Sequence, residues 1–312
     1  MSEPKRHHYL PQFYLNRFTD NKGLLWVFDR DTKEYRQQSS KNTMLQCHYY
    51  TFRDKDGKKH TEIEKFFSII EGRTKPIIEK VDDKQKITAE EKEILATFIS
   101  FQKTRVPDFE KKTNEAHEKM IKKMNQLMFS SKKRVESQFK KYERDTGKKI
   151  NMSSEEFMNF VQNDKYYIKF PREHSIKLML NLGKDFIMYF IQMNWLFLWV
   201  SPKTSFMTSD NPFMLLPPAD YNPNSPYGIG IITAGAKKII PLSQKTCLVM
   251  GDHGGEISGK SINRDVVRKI NCDIAANSDR FVISRDKSLL KKIVSITKID
   301  QRRREQRVQI IN

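Results

Sequence analysis

The sequence predicts an α+β protein in which β-rich N- and C-terminal portions share a mixed sheet, with a long helical middle between them. Aromatic and β-branched runs typical of strands fall before residue 60 and again after residue 200. Between them, apolar residues recur at helical spacing. We therefore expect a single α+β domain over residues 1–312, with a β-rich start (1–60), a helical middle (61–200) and a β-rich end (201–312).

The first sixty residues predict a small β-rich unit. Residues 24–28 have strand character. A turn at 29–33 then leads to residues 33–37, which are expected to pair with the first strand as a hairpin. A further short strand is expected at 49–52, followed by a loop at 54–57.

The middle of the chain predicts several helices. Residues 61–80 carry apolar side chains at helical spacing, and Thr88 with Glu91 forms a capping-box sequence that opens the next helix. Residues 103–149 hold fifteen Lys or Arg against seven Asp or Glu, which predicts basic helices with a break near Ser130. These helices present either a solvated surface or a binding surface. The apolar run at 174–200 predicts a buried helix.

The last third of the sequence predicts strands again. A loop is expected at 216–227, where Pro and Asn are frequent, and a helix at 263–277. Residues 291–307 are strongly basic and predict a basic tail, with 301–304 exposed. The expected strands are 206–208, 213–216, 238–240, 246–250 and 281–284.

The charge of the chain is strongly positive. Lys and Arg number 57 against 38 Asp and Glu, which gives a formal net charge of +19. Such a surplus favours attraction to nucleic acid or to anionic lipid, although a lysine-rich solubilising surface accounts for it equally well. The sequence does not determine the oligomeric state.

The cysteines and the apolar runs indicate a cytoplasmic protein. Three cysteines lie far apart, so neither a disulfide framework nor a zinc ribbon is predicted. The most apolar run, residues 186–200, is shorter than the roughly 20 residues needed to span a bilayer, and no signal peptide opens the sequence. We expect no membrane partner.

The densest group of reactive side chains lies at residues 7–18. His7 and His8 can act as bases, metal ligands or phosphate contacts, and Arg17 suits a phosphate or carboxylate. Adjacent residues of an extended chain point to opposite faces, so we expect the two histidines to serve different centres. Gln12 follows His8 by four residues and can converge with it after the turn favoured by Pro11. Alternatively, the histidines stabilise a buried turn while the aromatic residues pack.

A second candidate segment is residues 208–212, which follows a predicted strand. Asp210 offers a carboxylate and Asn211 a carboxamide, in a position where catalytic loops are common. An Asx or Ser turn that joins two strands fits the same composition.

Four carboxylates form a third candidate set, consisting of Asp29, Glu62, Glu64 and Glu71. Glu64 and Glu71 are seven residues apart and therefore share one face of the predicted helix. One of the four could complete a metal or acid–base cluster, while the others are surface charges.

Several motifs are missing from the sequence. It contains no Walker A loop, no G-x-G-x-x-G after a strand, no G-x-S-x-G and no H-E-x-x-H. These absences argue against nucleotide-driven motors, Rossmann dehydrogenases, α/β hydrolases and zincins.

The motifs resemble those of the bacterial family described as domain of unknown function 4238. The resemblance extends over residues 7–283 and includes 26–30, 50–52 and 70–72. Its most specific parts are the opening His7-His8-Tyr9-x-Pro11-Gln12 and the later Ser209-Asp210-Asn211-Pro212. The resemblance implies no activity, but it strengthens the expectation that the two motifs form one site.

We expect a metal-dependent nuclease or related phosphodiesterase that acts on RNA or DNA. In this hypothesis His8 and Asp210 hold a divalent ion, Mg²⁺ or Mn²⁺, and His7 belongs to the same catalytic group. Gln12 and Asn211 would orient the phosphate, and Arg17 would offset developing charge. The alternative is a non-catalytic module that binds nucleic acid or protein, in which the opening motif is structural.

Overall fold

The computed structural model describes residues 6–47, 49–50, 52–53, 59–60, 62–222 and 228–301. The chain divides into two compact units, one of Met1–Asp108 with Ile176–Asn312 and one of Phe109–Ser175. The single domain predicted over residues 1–312 stays a prediction. The predicted loop at 54–57, most of the basic tail beyond 301 and part of the loop at 216–227 lie outside the described residues.

Nine α-helices and two short 3-10 helices are found in the described part of the chain, and the α+β class is confirmed. A capping box at Thr88 and Glu91 opens the third helix, as predicted, and Ser131 caps the fifth helix at the predicted break. None of these helices is long and apolar enough to cross a lipid bilayer. The helices are α1 Gln12–Leu15, α2 Glu62–Asp82, α3 Ala89–Thr104, α4 Pro107–Met128, α5 Lys132–Thr146, α6 Ser154–Gln162, α7 Arg172–Gln192, α8 Arg264–Asn277 and α9 Lys287–Thr297.

The two ends of the chain share a four-stranded sheet, as the sequence predicts. Its strands are β2 Leu24–Asp29, β3 Glu34–Ser39, β8 Thr208–Ser209 and β13 Phe281–Ser284. Their order is β3-β2-β13-β8, and each neighbouring pair is antiparallel. Strands β2 and β3 form the hairpin expected near residue 30.

A second sheet is mixed and comes from the C-terminal half. Its strands are β7 Met193–Trp199, β9 Met214–Leu216, β10 Lys237–Pro241, β11 Thr246–His253 and β12 Ile257–Ser261. Their order is β12-β7-β11-β10-β9, in which β12 and β7 are parallel and the other pairs are antiparallel.

Strand β7 corrects the sequence prediction of a helix that runs to residue 200. Helix α7 ends at Gln192, and the next seven residues enter the sheet between β11 and β12. The apolar run does not distinguish a buried helix from a strand buried on both sides, so the pairing with distant strands decides the structure.

Two short pairings complete the N-terminal region. Strand β1 (Arg6–His8) is antiparallel to β4 (Leu45–Cys47). Strand β5 (Phe52–Arg53) is antiparallel to β6 (Lys59–His60). Tyr49 and Tyr50 form a turn, which corrects the strand predicted at these two positions, while Phe52 lies in β5 as predicted. Residue 51 lies outside the described residues.

The core of the larger unit lies between the sheets and the last helices. Phe28 and Val282 of the four-stranded sheet pack with Leu290 and Ile293 of α9. On the other sheet, Leu198 and Ile239 pack with Ile270 of α8. Helix α9 begins at Lys287 and continues to Thr297, so the first part of the region predicted as a basic tail is helical. Asp286 caps its first turn, and its apolar face completes the core.

Candidate functional site

A polar cavity of about 250 Å³ lies between the opening motif and helices α2 and α3, within the larger unit. We call it the His8 cavity. Its lining residues are His7, His8, Pro11, Gln12, Phe13, Tyr50, Glu64, Phe67, Ser68, Glu71 and Arg105.

Local structure places the opening motif at the edge of this cavity. The pairing of β1 with β4 sets His7 opposite Gln46 and His8 opposite Leu45. Pro11 then precedes α1 with an extended ψ of 145°, so the chain turns sharply and brings Gln12 to the cavity. The expected convergence of His8 and Gln12 is found.

One face of α2 forms the opposite wall. Glu64, Phe67, Ser68 and Glu71 all line the cavity, and their spacing of three, four and seven residues puts them on one side of a helix. The expectation that Glu64 and Glu71 share a helix face is therefore confirmed. Glu62 is not among the lining residues.

His7 is held from both sides of its ring. The backbone N–H of Tyr50 donates to Nδ1 at 2.9 Å, and Nε2 lies 2.9 Å from Glu64 Oε1. Because Nδ1 accepts a hydrogen bond, Nε2 carries the proton that is donated to Glu64. The ring also stacks on Tyr50 with an interplanar angle of 8°. His7 therefore orients Glu64 and Tyr50.

His8 is bound on one side only. Its Nε2 is buried and has no hydrogen-bond partner among the described residues. Burial lowers the pKa of His8, while contacts with the carbonyl groups of Ser40 and Lys41 and the charge of Glu71 act in the opposite direction. The carbonyl contacts fall on the Nδ1 side, since Nε2 has no partner. Burial thus favours the neutral imidazole, and a proton on Nδ1 would leave the lone pair of the unpartnered Nε2 free.

Arg105 supplies a fixed positive charge at the cavity. Its side chain is 2% exposed, with Nη1 donating to Glu71 Oε1 at 2.8 Å and Nη2 donating to Gln102 Oε1 at 2.7 Å. The guanidinium lies over the rings of Phe67 and Phe98, at 5.1 and 5.9 Å from their centroids. These contacts fix the plane of the group.

The Asp210 carboxylate lies outside this cavity and serves the backbone. It is 4% exposed and accepts hydrogen bonds from the N–H groups of Asp279, Arg280 and Phe281, at 2.7, 2.5 and 3.0 Å. Burial and the nearby Asp279 carboxylate raise its pKa to about 7, although the three N–H groups act in the opposite direction. Asp210 thus anchors the turn between α8 and β13.

Asn211 belongs to the same structural turn. Its Nδ2 donates to Asp108 Oδ2 at 2.9 Å, and its backbone N–H donates to Ser209 Oγ at 3.2 Å, which is the Ser turn considered as the alternative. Asn277 Nδ2 donates to the Asn211 carbonyl oxygen at 2.8 Å. The segment holds the end of α8 against β8.

Arg17 contacts the last two turns of α2, away from the cavity lining. Its guanidinium donates to the Lys75 carbonyl oxygen, to Glu79 and to Asp82 at 3.0, 3.0 and 3.3 Å. Asp29 is likewise structural, since it is fully buried and receives two hydrogen bonds from Arg280.

The structure therefore brings together His7, His8 and Gln12, but it does not bring Arg17, Asp210 or Asn211 to them. The paired metal ligands His8 and Asp210 are not supported, because both oxygens of Asp210 are held by backbone N–H groups. In the part of the chain that is described, no group of three or more His, Cys, Asp or Glu side chains is arranged around a common metal position.

Arg105 is the main cavity residue that sequence reasoning missed. It ends α3 just before Pro107, in a context that looks like a helix terminus. The only sign of its role in the local sequence is that a charged residue continues the apolar side of α3. Its partner Glu71 lies 34 residues away, so spacing does not reveal the pair.

These features define an α+β protein with a His–Arg–Glu cavity built from its N-terminal motif and two helices. The chain belongs to the family described as Protein of unknown function (DUF4238), which matches residues 6–288. Neither the curated proteins nor the solved structures contain a significant match to this chain.

Proposed function

We propose that the protein is a nuclease that cleaves RNA in the His8 cavity. The observation that carries the proposal is the unpaired Nε2 of His8 beside the ion pair of Glu71 and Arg105. A neutral imidazole is a suitable base near neutral pH, and a fixed guanidinium suits a phosphate that gains negative charge.

The distribution of roles follows from the contacts. His8 can take a proton through its free Nε2, while its Nδ1 side stays bound to backbone carbonyl groups. The Arg105 guanidinium lies over two aromatic rings and can stabilise a pentavalent phosphorus centre. Glu71 positions the guanidinium, and Gln12, which is exposed at the cavity edge, can orient the substrate.

RNA suits this site because it carries its own nucleophile. His8 Nε2 accepts the proton of the ribose 2′-hydroxyl, the 2′-oxygen attacks phosphorus, and the bond from phosphorus to the 5′-oxygen breaks. The leaving oxygen then takes up the proton, through the His8 imidazolium or water. The products are a 2′,3′-cyclic phosphate and a 5′-hydroxyl, and no further reactant is consumed. Holding the two reacting groups together supplies much of the acceleration.

The net charge of +19 supports a polyanionic substrate. The cleavage step described above needs no metal, and the divalent ion predicted from the sequence remains a separate proposal. The carboxylates of the cavity that would hold it are Glu64, which also pairs with His7, and Glu71, which also pairs with Arg105. Carboxylate oxygens are suitable ligands for Mg²⁺ and Mn²⁺.

The test is cleavage of single-stranded RNA and of DNA with the same sequence by the full protein, in Mg²⁺, in Mn²⁺ and in EDTA. We expect RNA cleavage with a cyclic phosphate product, and a loss of about 10²–10⁴-fold in His8→Ala. His253→Ala, which changes an exposed histidine at the end of β11, is the matched control and should retain full activity. Intact RNA in all three conditions would reject the proposal, and equal cleavage of DNA would reject the 2′-hydroxyl mechanism.

The second candidate function is non-catalytic nucleic-acid binding. The observation that favours it is the set of exposed lysines on α4 and α5, which includes Lys119, Lys123, Lys133 and Lys140. Binding through such residues predicts that log affinity for duplex DNA falls by about 0.9 per phosphate contact per decade of salt. Fluorescence anisotropy over a salt series measures this slope, and affinity that does not vary with salt would exclude it. In this alternative, His8→Ala lowers the melting temperature and leaves binding unchanged.

A further inference from the structure

A second group of histidines lies in the unit Phe109–Ser175, and the proposed nuclease reaction does not use it. His117 Nδ1 of α4 is 3.2 Å from His174 Nε2 in the first turn of α7. The rings meet edge to face, with centroids 5.4 Å apart. One ring donates to the other, so this contact places two imidazole nitrogens side by side.

We infer that His117 and His174 form a binding site for a divalent transition-metal ion, with Zn²⁺ as the best-suited ion. Imidazole nitrogens bind Zn²⁺ at about 2.0–2.1 Å in tetrahedral sites, which places two such ligands roughly 3.4 Å apart. The observed 3.2 Å therefore needs only a small ring rotation, together with transfer of the bridging proton to the other nitrogen of the donor ring, to direct two lone pairs at one ion.

A third donor group lies next to the pair. Asn114 precedes His117 by three residues on α4 and donates from Nδ2 to Ser175 Oγ at 3.2 Å, beside His174. Its Oδ1 is buried and has no hydrogen-bond partner in the described part of the chain. A buried carbonyl oxygen without a partner is costly unless a cation or donor satisfies it. The amide oxygen can supply a third ligand, and water can complete the coordination.

The surroundings orient the two rings without closing the site. Phe170 stacks on His174 with centroids 4.9 Å apart, and it also contacts His117 at 6.1 Å. Both histidines are only half-buried, so an ion can reach them. Two imidazoles and an amide oxygen favour Zn²⁺, Ni²⁺ or Cu²⁺ over Mg²⁺, because imidazole is a softer ligand than carboxylate.

The test is titration of the full protein with Zn²⁺ by calorimetry, together with the visible absorption of Co²⁺ as a probe of coordination. We expect His117→Ala and His174→Ala each to weaken the binding of one Zn²⁺ by at least about tenfold. His253→Ala, an exposed histidine outside this unit, is the control and should bind as the wild type does.

Asn114→Asp tests the third ligand with a gain of function. A carboxylate in place of the amide should tighten Zn²⁺ binding by about tenfold, because a charged oxygen is a stronger ligand. Circular dichroism of each variant confirms that it is folded. Unchanged Zn²⁺ affinity in the double variant His117→Ala/His174→Ala would overturn the inference, as would a Co²⁺ spectrum typical of the hydrated ion.

Discussion

The Tyr14 hydroxyl oxygen lies 2.7 Å from Thr208 Oγ1 and donates its own proton to the Pro241 carbonyl oxygen at 2.8 Å. Since Tyr14 has one hydroxyl proton, Thr208 is the donor in the first of these bonds. The contact joins the opening motif to the strand that leads to Asp210, across 194 positions of sequence. The two motifs therefore meet through a packing residue, and their reactive groups lie in different places.

Replacing Tyr14 by Phe tests this junction. The variant removes both hydrogen bonds in a fully buried setting and leaves the Pro241 carbonyl without this donor, so we expect a loss of about 1–3 kcal/mol of unfolding free energy. Urea denaturation followed by circular dichroism measures the change. Tyr142→Phe, which removes an exposed hydroxyl, is the control and should be neutral. Equal stability of the two variants would contradict the assigned role.

The pH dependence of RNA cleavage should follow His8. Burial lowers the pKa of this imidazole below the usual 6.5, so its base form persists to more acidic pH than that of an exposed histidine. Activity should fall as Nε2 becomes protonated, with the midpoint of the decline below pH 6.5. A kcat/KM profile from pH 4.5 to 8 tests this expectation. A decline centred above 6.5 would show that another group acts as the base.

Arg105→Lys should reduce activity strongly even though it keeps the positive charge. Lysine lacks the planar fork that directs separate N–H groups to Glu71 and Gln102, and it lacks the flat face that packs over Phe67 and Phe98. We expect about a 10²–10³-fold fall in kcat, the size that loss of one transition-state donor produces.

Arg73→Lys is the control for Arg105→Lys, because that arginine forms an exposed ion pair with Glu90 on the surface of α2. It should leave kcat unchanged. If Arg105→Lys is as active as the control, the guanidinium takes no part in the reaction.

Asp210→Ala should act on stability rather than on chemistry. The variant leaves three backbone N–H groups without their acceptor, so we expect a loss of about 1–3 kcal/mol or more. Residual activity should follow the folded fraction of the protein. If the variant is inactive while fully folded, Asp210 has the catalytic role that the sequence suggested.

The same carboxyl gives a pH dependence of stability with a defined sign. Its pKa is raised to about 7 in the folded protein from 3.8, so the folded state binds more protons between these values. The stability contributed by Asp210 is complete below about pH 3.8 and is lost as the pH rises through 7. The difference between wild type and Asp210→Ala should thus be larger at pH 5 than at pH 8, and the reverse order would contradict the shift.

Much of the local structure could be predicted from the sequence, because short-range interactions encode it. The β2–β3 hairpin, the capping box at Thr88 and the helix break at Ser131 each depend on residues within a few positions. The strand β7 could not be predicted in this way. Its apolar residues fit a helix equally well, and pairing with β11 and β12 selects the strand.

The candidate site, like the fold, could be predicted only in part from the sequence. The sequence alone predicted that His8 and Gln12 converge and that Glu64 and Glu71 share a helix face. It placed His7 and His8 at different centres, whereas both line one cavity. Only the tertiary structure decided that Arg105 joins this group and that Asp210 binds backbone N–H groups instead. Whether a buried carboxylate or guanidinium serves a site depends on which donors and acceptors surround it. Apart from Gln102, the partners of Arg105 and Asp210 come from segments 34 to 71 residues away.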